Sequence, residues 1–184
     1  MRDAKYIQTG VKNMTYQKWS TKKICMVGLF MCMNIALSSF GVPVPGGHLY
    51  LCDIIIFTAA LLLDPTSAMI AGGVGAFLGD LIFYPAPMFV SLFVHGFQAF
   101  VASYCSHNVL KKHPKLATFL GLVLGIVITN VGYFLGKTFV YSTFAYAIMK
   151  IPYELAQGTI GAVGAVLLVY KFGLKKIYEK TMQD

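Results

Sequence analysis

The sequence predicts an all-α integral membrane protein, a bundle of six transmembrane helices. The 184 residues are 57% hydrophobic and only 12% charged, and the mean hydropathy is +0.68, which is far from the composition of soluble domains. The apolar residues form six runs separated by prolines, glycines and lysines, and a spanning helix needs about 20 apolar residues. Six spans with their loops use the whole length, so we expect residues 1–184 to form a single membrane domain.

The two ends of the chain are polar and basic, at residues 1–22 and 173–184. The first segment is too long for the basic region of a signal peptide and no small-residue cleavage pattern follows it, so we expect no cleavage. The four cysteines lack CxxC spacing, which predicts neither a disulfide framework nor a metal site. The net charge of +8 flanks apolar runs and forms no stripe on a soluble domain, which argues against nucleic-acid binding.

The first span is predicted at residues 24–40 and carries a small residue at every fourth position, Gly28, Cys32 and Ala36. Such a narrow face lets another helix pack closely, either within the bundle or from another protein. The next segment, residues 41–53 (GVPVPGGHLYLCD), contains two prolines and three glycines and cannot continue the helix. We expect this Pro/Gly-rich outer loop between helices 1 and 2 to be irregular and to act as a lid over a cavity.

Prolines and polar clusters delimit the remaining spans. A short or tilted second span, residues 49–63, ends at Asp64-Pro65, because the residue before a proline is pushed out of helical geometry. The third, residues 66–84, contains Gly72, Gly75 and Gly79, which we interpret as packing residues. No strand precedes them and no lysine follows, so they are not a phosphate loop. The last three spans are predicted at residues 88–109, 116–140 and 151–172.

Lysine and arginine cluster before the first span, between the fourth and fifth, and after the sixth. With six spans these three segments share one side of the membrane, and the positive-inside rule makes that side cytoplasmic. Both termini are then cytoplasmic, and only Lys137 and Lys150 lie on the outer side. The lid, residues 84–87 and a loop at residues 137–150 are predicted to meet on the outer face.

Polar side chains within the predicted spans concentrate in their outer halves, whereas the inner halves are almost wholly apolar. Ionisable groups inside a membrane usually mark a pathway or a ligand site. A channel or proton relay needs polar groups through the whole thickness, so the pattern favours a pocket open to the outside. The candidate substrate-binding residues are His48, Tyr50, Asp53, Asp80, Tyr84, His95, Gln98, Asn130, Tyr133, Glu154 and Gln157.

Several alternatives stay open at this point. Any single polar residue can be satisfied by a neighbour, for example Glu154 by Lys137 or Lys150. A self-sufficient carrier usually has two related halves, and no internal repeat is visible. A small intramembrane enzyme acting on a lipid or isoprenoid would use His95 as a base, but no serine motif, HExxH motif or pair of glutamates accompanies it. A purely structural subunit is the remaining alternative.

The order of these features resembles the substrate-binding S components of energy-coupling factor (ECF) vitamin transporters. The resemblance covers essentially the full chain and includes the lid sequence VPVPGGHLYLCD and the segment AGGVGAFLGDLIFYPAP. It implies a multi-pass, non-enzymatic subunit of the bacterial cell membrane that works with a membrane scaffold and two ATPase subunits. ATP is used by those partners, and no cofactor is implied for this chain, which has no Walker motif. In the family an AxxxA-like motif faces the scaffold, which implies that role for Gly28, Cys32 and Ala36.

The family's substrates are vitamins and related small molecules, and the polar set narrows them. Anionic vitamins would need convergent arginine or lysine, yet only two lysines lie on the predicted outer side. A neutral or weakly basic heteroaromatic ring with hydroxyls suits the amides, the histidine and the tyrosines. We therefore expect pyridoxine or hydroxymethylpyrimidine, the branch that the sequence resembles, and next a thiamine-like cation, for which Asp53, Asp80 and Glu154 would supply counter-charge.

Overall fold

The computed structural model describes residues 19–45 and 47–183 and consists mainly of helices. The predicted basic segment at residues 1–22 lies almost entirely outside the described residues. The elements in chain order are α1 (Thr21–Ser38), β1 (Gly41–Val44), β2 (Gly47–Tyr50), α2 (Cys52–Leu62), α3 (Pro65–Phe83), α4 (Met88–Asn108), α5 (Pro114–Gly136), α6 (Phe144–Val166) and α7 (Leu174–Gln183). Two π-helical turns, Lys137–Tyr141 and Leu167–Lys171, extend α5 and α6.

Five helices in the described part of the chain are long and apolar enough to cross a membrane: α1, α3, α4, and α5 and α6 with their π-helical turns. The remaining apolar helix, α2, has 11 residues, about 16 Å at 1.5 Å per residue against a hydrocarbon core of about 30 Å. The predicted all-α membrane class is confirmed. The short second span that the sequence predicts corresponds to α2.

Helix α2 lies inside the bundle. All of its residues except Ile54 are buried, and it packs against α1, α3, α4 and α6. A helix that is hydrophobic all round belongs in such a surrounded position. The predicted stop at Asp64-Pro65 is confirmed: Asp64 is extended and accepts a hydrogen bond from the backbone N–H of Ser67, which caps α3.

Glycines on α3 allow its neighbours to approach at backbone distance, as predicted for this span. A Cβ on Gly73 would lie 2.7 Å from the carbonyl oxygen of Leu92 on α4, and one on Gly75 would lie 2.7 Å from Nδ2 of Asn34 on α1. The buried Asn34 amide uses this space to donate to the carbonyl oxygen of Gly72 at 3.1 Å. Small side chains therefore fix the positions of α1 and α4 on α3.

The lid segment is a β-hairpin, so the prediction of an irregular loop is wrong. Strands β1 and β2 are antiparallel, with Gly41 opposite Tyr50 and Pro43 opposite His48. A proline is tolerated here because both strands of a two-stranded sheet are edge strands. The hairpin gives His48 and Tyr50 fixed positions at one end of the bundle.

The prediction of an outer loop at residues 137–150 is also wrong. Helix α6 begins at Phe144 because the Thr143 side chain caps it, accepting from the Tyr146 backbone N–H, and Pro152 is accommodated inside the helix. Together with the π-helical turn after α5, this leaves only residues 142–143 as a connection. Lys137 and Lys150 are therefore helical, and their exposed fractions are only 4% and 6%.

Candidate functional site

A cavity of about 350 Å³ opens at the end of the bundle where the hairpin meets the C-terminal ends of α3 and α5 and the N-terminal ends of α4 and α6. Most of the predicted site residues line it: His48, Tyr50, Asp80, Tyr84, His95, Tyr133, Glu154 and Gln157. These side chains come from five separate elements. The topology therefore brings together a set of polar groups that the sequence places only at a common depth.

The three other predicted residues do not line the cavity. Asp53 and Gln98 lie behind its wall and are fully buried. Asn130 turns back on its own helix, where its Nδ2 donates to the Ile126 carbonyl oxygen at 2.9 Å. Asn130 therefore lies outside the cavity lining, whereas Asp53 and Gln98 bond to residues that line it.

Sequence reasoning missed several residues of the cavity wall. They are Ser38, Cys52, Ala76, Phe83, Pro87, Lys137, Tyr141, Tyr146, Lys150 and Tyr153. Helix α6, which starts at Phe144, places Lys150 one turn before Glu154, on the same face. The last span was predicted to start at residue 151, which left Lys150 in a loop. Thr143, a residue type that caps helices, was the signal for the earlier start.

Glu154 and Lys137 form a buried ion pair between α6 and the turn that follows α5. The Lys137 ammonium also lies 4.8 Å from the centre of the Tyr133 ring, a distance typical of a cation–π contact. The pair uses only Oε1 of the carboxylate. Glu154 Oε2 is buried and has no hydrogen-bond partner in the described part of the chain.

Asp80 offers a second carboxylate oxygen of this kind. Its Oδ2 is buried and likewise accepts no hydrogen bond from any residue that the structure describes. Buried polar atoms are nearly always hydrogen-bonded, because desolvation without a partner is unfavourable. Both residues line the cavity, so these two oxygens are candidate acceptors for a ligand with N–H or O–H donors.

A chain of hydrogen bonds runs behind the cavity wall. The amides of Gln98 and Gln157 donate to Asp53 Oδ1 and Oδ2 at 2.8 and 2.6 Å. The other atom of the Gln98 amide, Oε1, lies 2.6 Å from His95 Nδ1, so this ring nitrogen is the donor. Tyr133 Oη lies 2.9 Å from His95 Nε2. This network holds the His95 ring in one orientation at the cavity wall.

Two hydrogen bonds attach the hairpin to α6. The Tyr50 backbone N–H donates to Gln157 Oε1 at 2.9 Å, and Lys150 Nζ donates to the His48 carbonyl oxygen at 3.2 Å. Partial burial, followed by the charge of Asp80, raises the pKa of the Tyr50 hydroxyl above its ordinary value. The Tyr50 phenol therefore stays protonated beside the cavity.

The small-residue face of α1 points away from the bundle. Cys32 and Ala36 are exposed, Gly28 is half-buried, and no atom of the described chain lies within 4 Å of where a Gly28 Cβ would be. Of the two explanations left open by the sequence, packing inside the bundle does not hold for the described residues. The face is free for a contact outside it.

Comparison with known proteins identifies the class of the chain. The family model described as "ECF-type riboflavin transporter, S component" matches residues 18–176. The chain is similar to the thiamine precursor transporter HmpT of Lactococcus lactis subsp. cremoris (strain MG1363), with 29% identity over 152 residues, 80% of this chain and 85% of that protein. It is also 33% identical over 94 residues to a Pyrococcus woesei protein described as "Uncharacterized protein in gap 3'region", covering 50% of this chain and 62% of that one.

Proposed function

This chain belongs to the family of S components of ECF-type riboflavin transporters, and on that premise we propose that it captures a thiamine precursor, with hydroxymethylpyrimidine as the favoured ligand. S components are transporter subunits and not enzymes, so the alternative of an intramembrane enzyme does not hold. The similarity to a transporter named for a thiamine precursor supports this ligand class over the other vitamins.

The observation that carries the ligand assignment is the pair of unpartnered acceptors on two residues that line the cavity, Glu154 Oε2 and Asp80 Oδ2. Hydroxymethylpyrimidine carries an amino group and a hydroxyl group, which are donors suited to these two oxygens. Its weakly basic ring gains from a nearby carboxylate, and tyrosines on several sides of the cavity offer faces for stacking. The ligand would satisfy the buried acceptors and fill the apolar part of the cavity.

Two other ligands are supported by specific features. Pyridoxine also brings hydroxyl donors, and its phenolic group would face the Lys150 ammonium that lines the cavity. A thiamine-like cation would gain from Asp80 and Glu154, but the buried Lys137 already neutralises Glu154. The charges of the wall are balanced, two acids against two lysines, which favours a neutral ligand.

The partners and the orientation belong to the same proposal. The cavity faces the outside of a bacterial plasma membrane, six helices cross or enter the bilayer, and both termini are cytoplasmic, in accordance with the positive-inside rule. The outward face of Gly28, Cys32 and Ala36 packs on the membrane scaffold, and two ATPase subunits supply the energy. Residues 1–184 act as a single membrane domain within that complex.

Uptake of labelled hydroxymethylpyrimidine tests the whole proposal. The chain is expressed with and without an ECF scaffold and its two ATPases in cells that lack their own uptake system. We expect accumulation only when all subunits are present, and bound but not accumulated label with this chain alone. Equal accumulation without the scaffold and ATPases would contradict the role of a binding subunit.

A further inference from the structure

Gln157 lines the cavity, and both polar atoms of its amide are engaged by the protein. Its Oε1 accepts from the Tyr50 backbone N–H on β2 at 2.9 Å, and its Nε2 donates to Asp53 Oδ2 at 2.6 Å. Glu154 and Asp80, in contrast, each keep an oxygen without a partner. Gln157 therefore connects the hairpin to the interior of the bundle.

The chemistry of the two partners determines which atom of the Gln157 amide faces each of them. A backbone N–H can only donate, so the Gln157 atom facing Tyr50 must be the amide oxygen. The amide nitrogen then faces Asp53, whose carboxylate is an acceptor and is fully buried. Neither partner can exchange its role, and a side chain lacking either the donor or the acceptor loses one of the two bonds.

The Asp53 end of this connection is rigid. Gln98 on α4 donates to the second oxygen of Asp53 at 2.8 Å and is itself held by His95. Packing is tight on this side as well, since a Cβ on Gly161 of α6 would lie 2.5 Å from Asp53 Cβ. A strand of the exposed hairpin is thus hydrogen-bonded, through one side chain, to a fixed buried carboxylate.

We propose that Gln157 is a positioning residue that holds the hairpin closed over the cavity, and that it acts on ligand retention through the hairpin and not by contacting the ligand. The proposal rests on the proposed function only for the identity of the ligand that is retained. Hairpin closure itself is a property of the chain without ligand. Its consequence for binding is a slower release of ligand from the closed cavity.

Cys52 provides a native probe of hairpin closure. Its side chain lines the cavity, is 6% exposed and lies two residues after Tyr50. In a background with Cys25→Ser, Cys32→Ser and Cys105→Ser, the rate at which N-ethylmaleimide modifies Cys52 reports how often the hairpin opens. No ligand is needed for this measurement, so its outcome does not depend on the identity of the vitamin.

The test compares Gln157→Met with Gln98→Met. Both remove one amide donor from Asp53, but only the first removes the acceptor of the Tyr50 N–H. We expect Gln157→Met to raise the rate of Cys52 modification about fivefold or more, as for the loss of a partly buried hydrogen bond, and Gln98→Met, which keeps the bond to the Tyr50 N–H, to raise it clearly less. Gln157→Asn keeps the amide, but its side chain is too short to reach both partners. It replaces Gln157→Met in the same rate measurement if Gln157→Met does not fold.

Equal rates for the Gln157 variants and the parent would overturn the proposal, and so would an equal rise in Gln98→Met. A second measurement follows the release of labelled hydroxymethylpyrimidine, which we expect to be faster in the Gln157 variants by the same factor as Cys52 modification. If Cys52 responds as expected but the parent binds no hydroxymethylpyrimidine, the positioning role stands and the ligand assignment fails.

Discussion

Lys137 donates to Glu154 Oε1 from the turn after α5, and this buried contact leaves the second carboxylate oxygen of Glu154 without a partner in the described chain. Glu154 lines the cavity, and the contact with Lys137 engages only one of its two carboxylate oxygens. A buried charge that is paired on one side and open on the other is suited to hold a ligand donor.

Glu154→Gln tests this acceptor directly. The amide keeps the shape but loses the negative charge, and a hydrogen bond to a charged group contributes about 1.5–3 kcal/mol. We expect the affinity for hydroxymethylpyrimidine to fall tenfold or more in isothermal titration calorimetry. Glu179→Gln, on the exposed face of α7, is the matched control and should bind as the parent does. Parent-like binding by folded Glu154→Gln would contradict the assignment.

Asn130→Leu tests the predicted site residue whose side chain bonds to its own helix. The Asn130 side chain bonds to its own helix and does not line the cavity, so we expect the dissociation constant to stay within about twofold of the parent, since no ligand hydrogen bond is lost. Asp80→Asn, measured in parallel, should weaken binding because its carboxylate faces the cavity. A larger loss in Asn130→Leu than in Asp80→Asn would show that the cavity is not the binding site.

Gly73→Ala tests the close packing of α3 on α4. The added Cβ would lie 2.7 Å from a backbone oxygen that cannot move independently, and such overpacking typically destabilises by about 1–3 kcal/mol. We expect a lower midpoint in thermal unfolding of the detergent-solubilised protein. Gly28→Ala is the control, because open space surrounds that position, and it should unfold at or above the parent temperature. The reverse order would contradict the helix packing described above.

Lys23 Nζ lies 2.7 Å from Asp64 Oδ1, a contact that we expect to be sensitive to acid. Partial burial opposes ionisation of Asp64, but hydrogen bonds from Lys23 and Ser67 outweigh it and lower the pKa of the carboxyl. A folded-state pKa below the unfolded value of about 3.9 stabilises the protein above that pH, and this stabilisation is lost as the pH falls through the folded pKa.

Thermal unfolding between pH 6 and pH 2.5 measures this contribution. We expect the midpoint of the parent to fall more steeply below about pH 4 than that of Asp64→Asn, which keeps a helix-capping side chain but cannot titrate. Glu179→Gln serves again as the exposed control and should follow the parent. If the unfolding midpoints of the parent and Asp64→Asn fall equally as the pH is lowered, the contact between Lys23 and Asp64 does not form in solution.

Gly28→Trp tests the proposed scaffold contact on α1. The bulky side chain fills open space outside the bundle, so ligand binding by the isolated chain should be unchanged, whereas ATP-dependent uptake with the ECF scaffold should be lost. Leu29→Trp is the control, because Leu29 is exposed on a neighbouring face of the same helix and should support uptake. Full uptake by Gly28→Trp would rule out this face as the contact.

The membrane class and the helix positions could be predicted because they depend on local sequence. Long apolar runs, the stop at Asp64-Pro65 and the glycines of α3 each specify their own geometry within a few residues. The start of α6 could not be placed, because a capping threonine and an internal proline give opposite signals. The error placed Lys150 in a loop, and neither Lys137 nor Lys150 was included in the predicted site.

The depth at which the polar residues lie along the helices could be predicted, but the role of each residue could not. Asp53 and Asp80 are both acids near the same depth, yet Asp53 is satisfied by two amides and Asp80 keeps an open oxygen. That difference depends on contacts between residues that are 45 and 104 positions apart. Asn130 and Tyr133 share a helix face by spacing alone, and only the rotamer of Asn130 takes it away from the cavity.

Isothermal titration calorimetry of the purified chain, without scaffold or ATPases, tests the central claim most directly. The panel contains hydroxymethylpyrimidine, pyridoxine, thiamine and riboflavin. The proposal predicts saturable one-to-one binding that is tightest for hydroxymethylpyrimidine and at least tenfold weaker in Glu154→Gln. Tightest binding of riboflavin or thiamine by the folded parent, or binding that Glu154→Gln and Asp80→Asn leave unchanged, would contradict it.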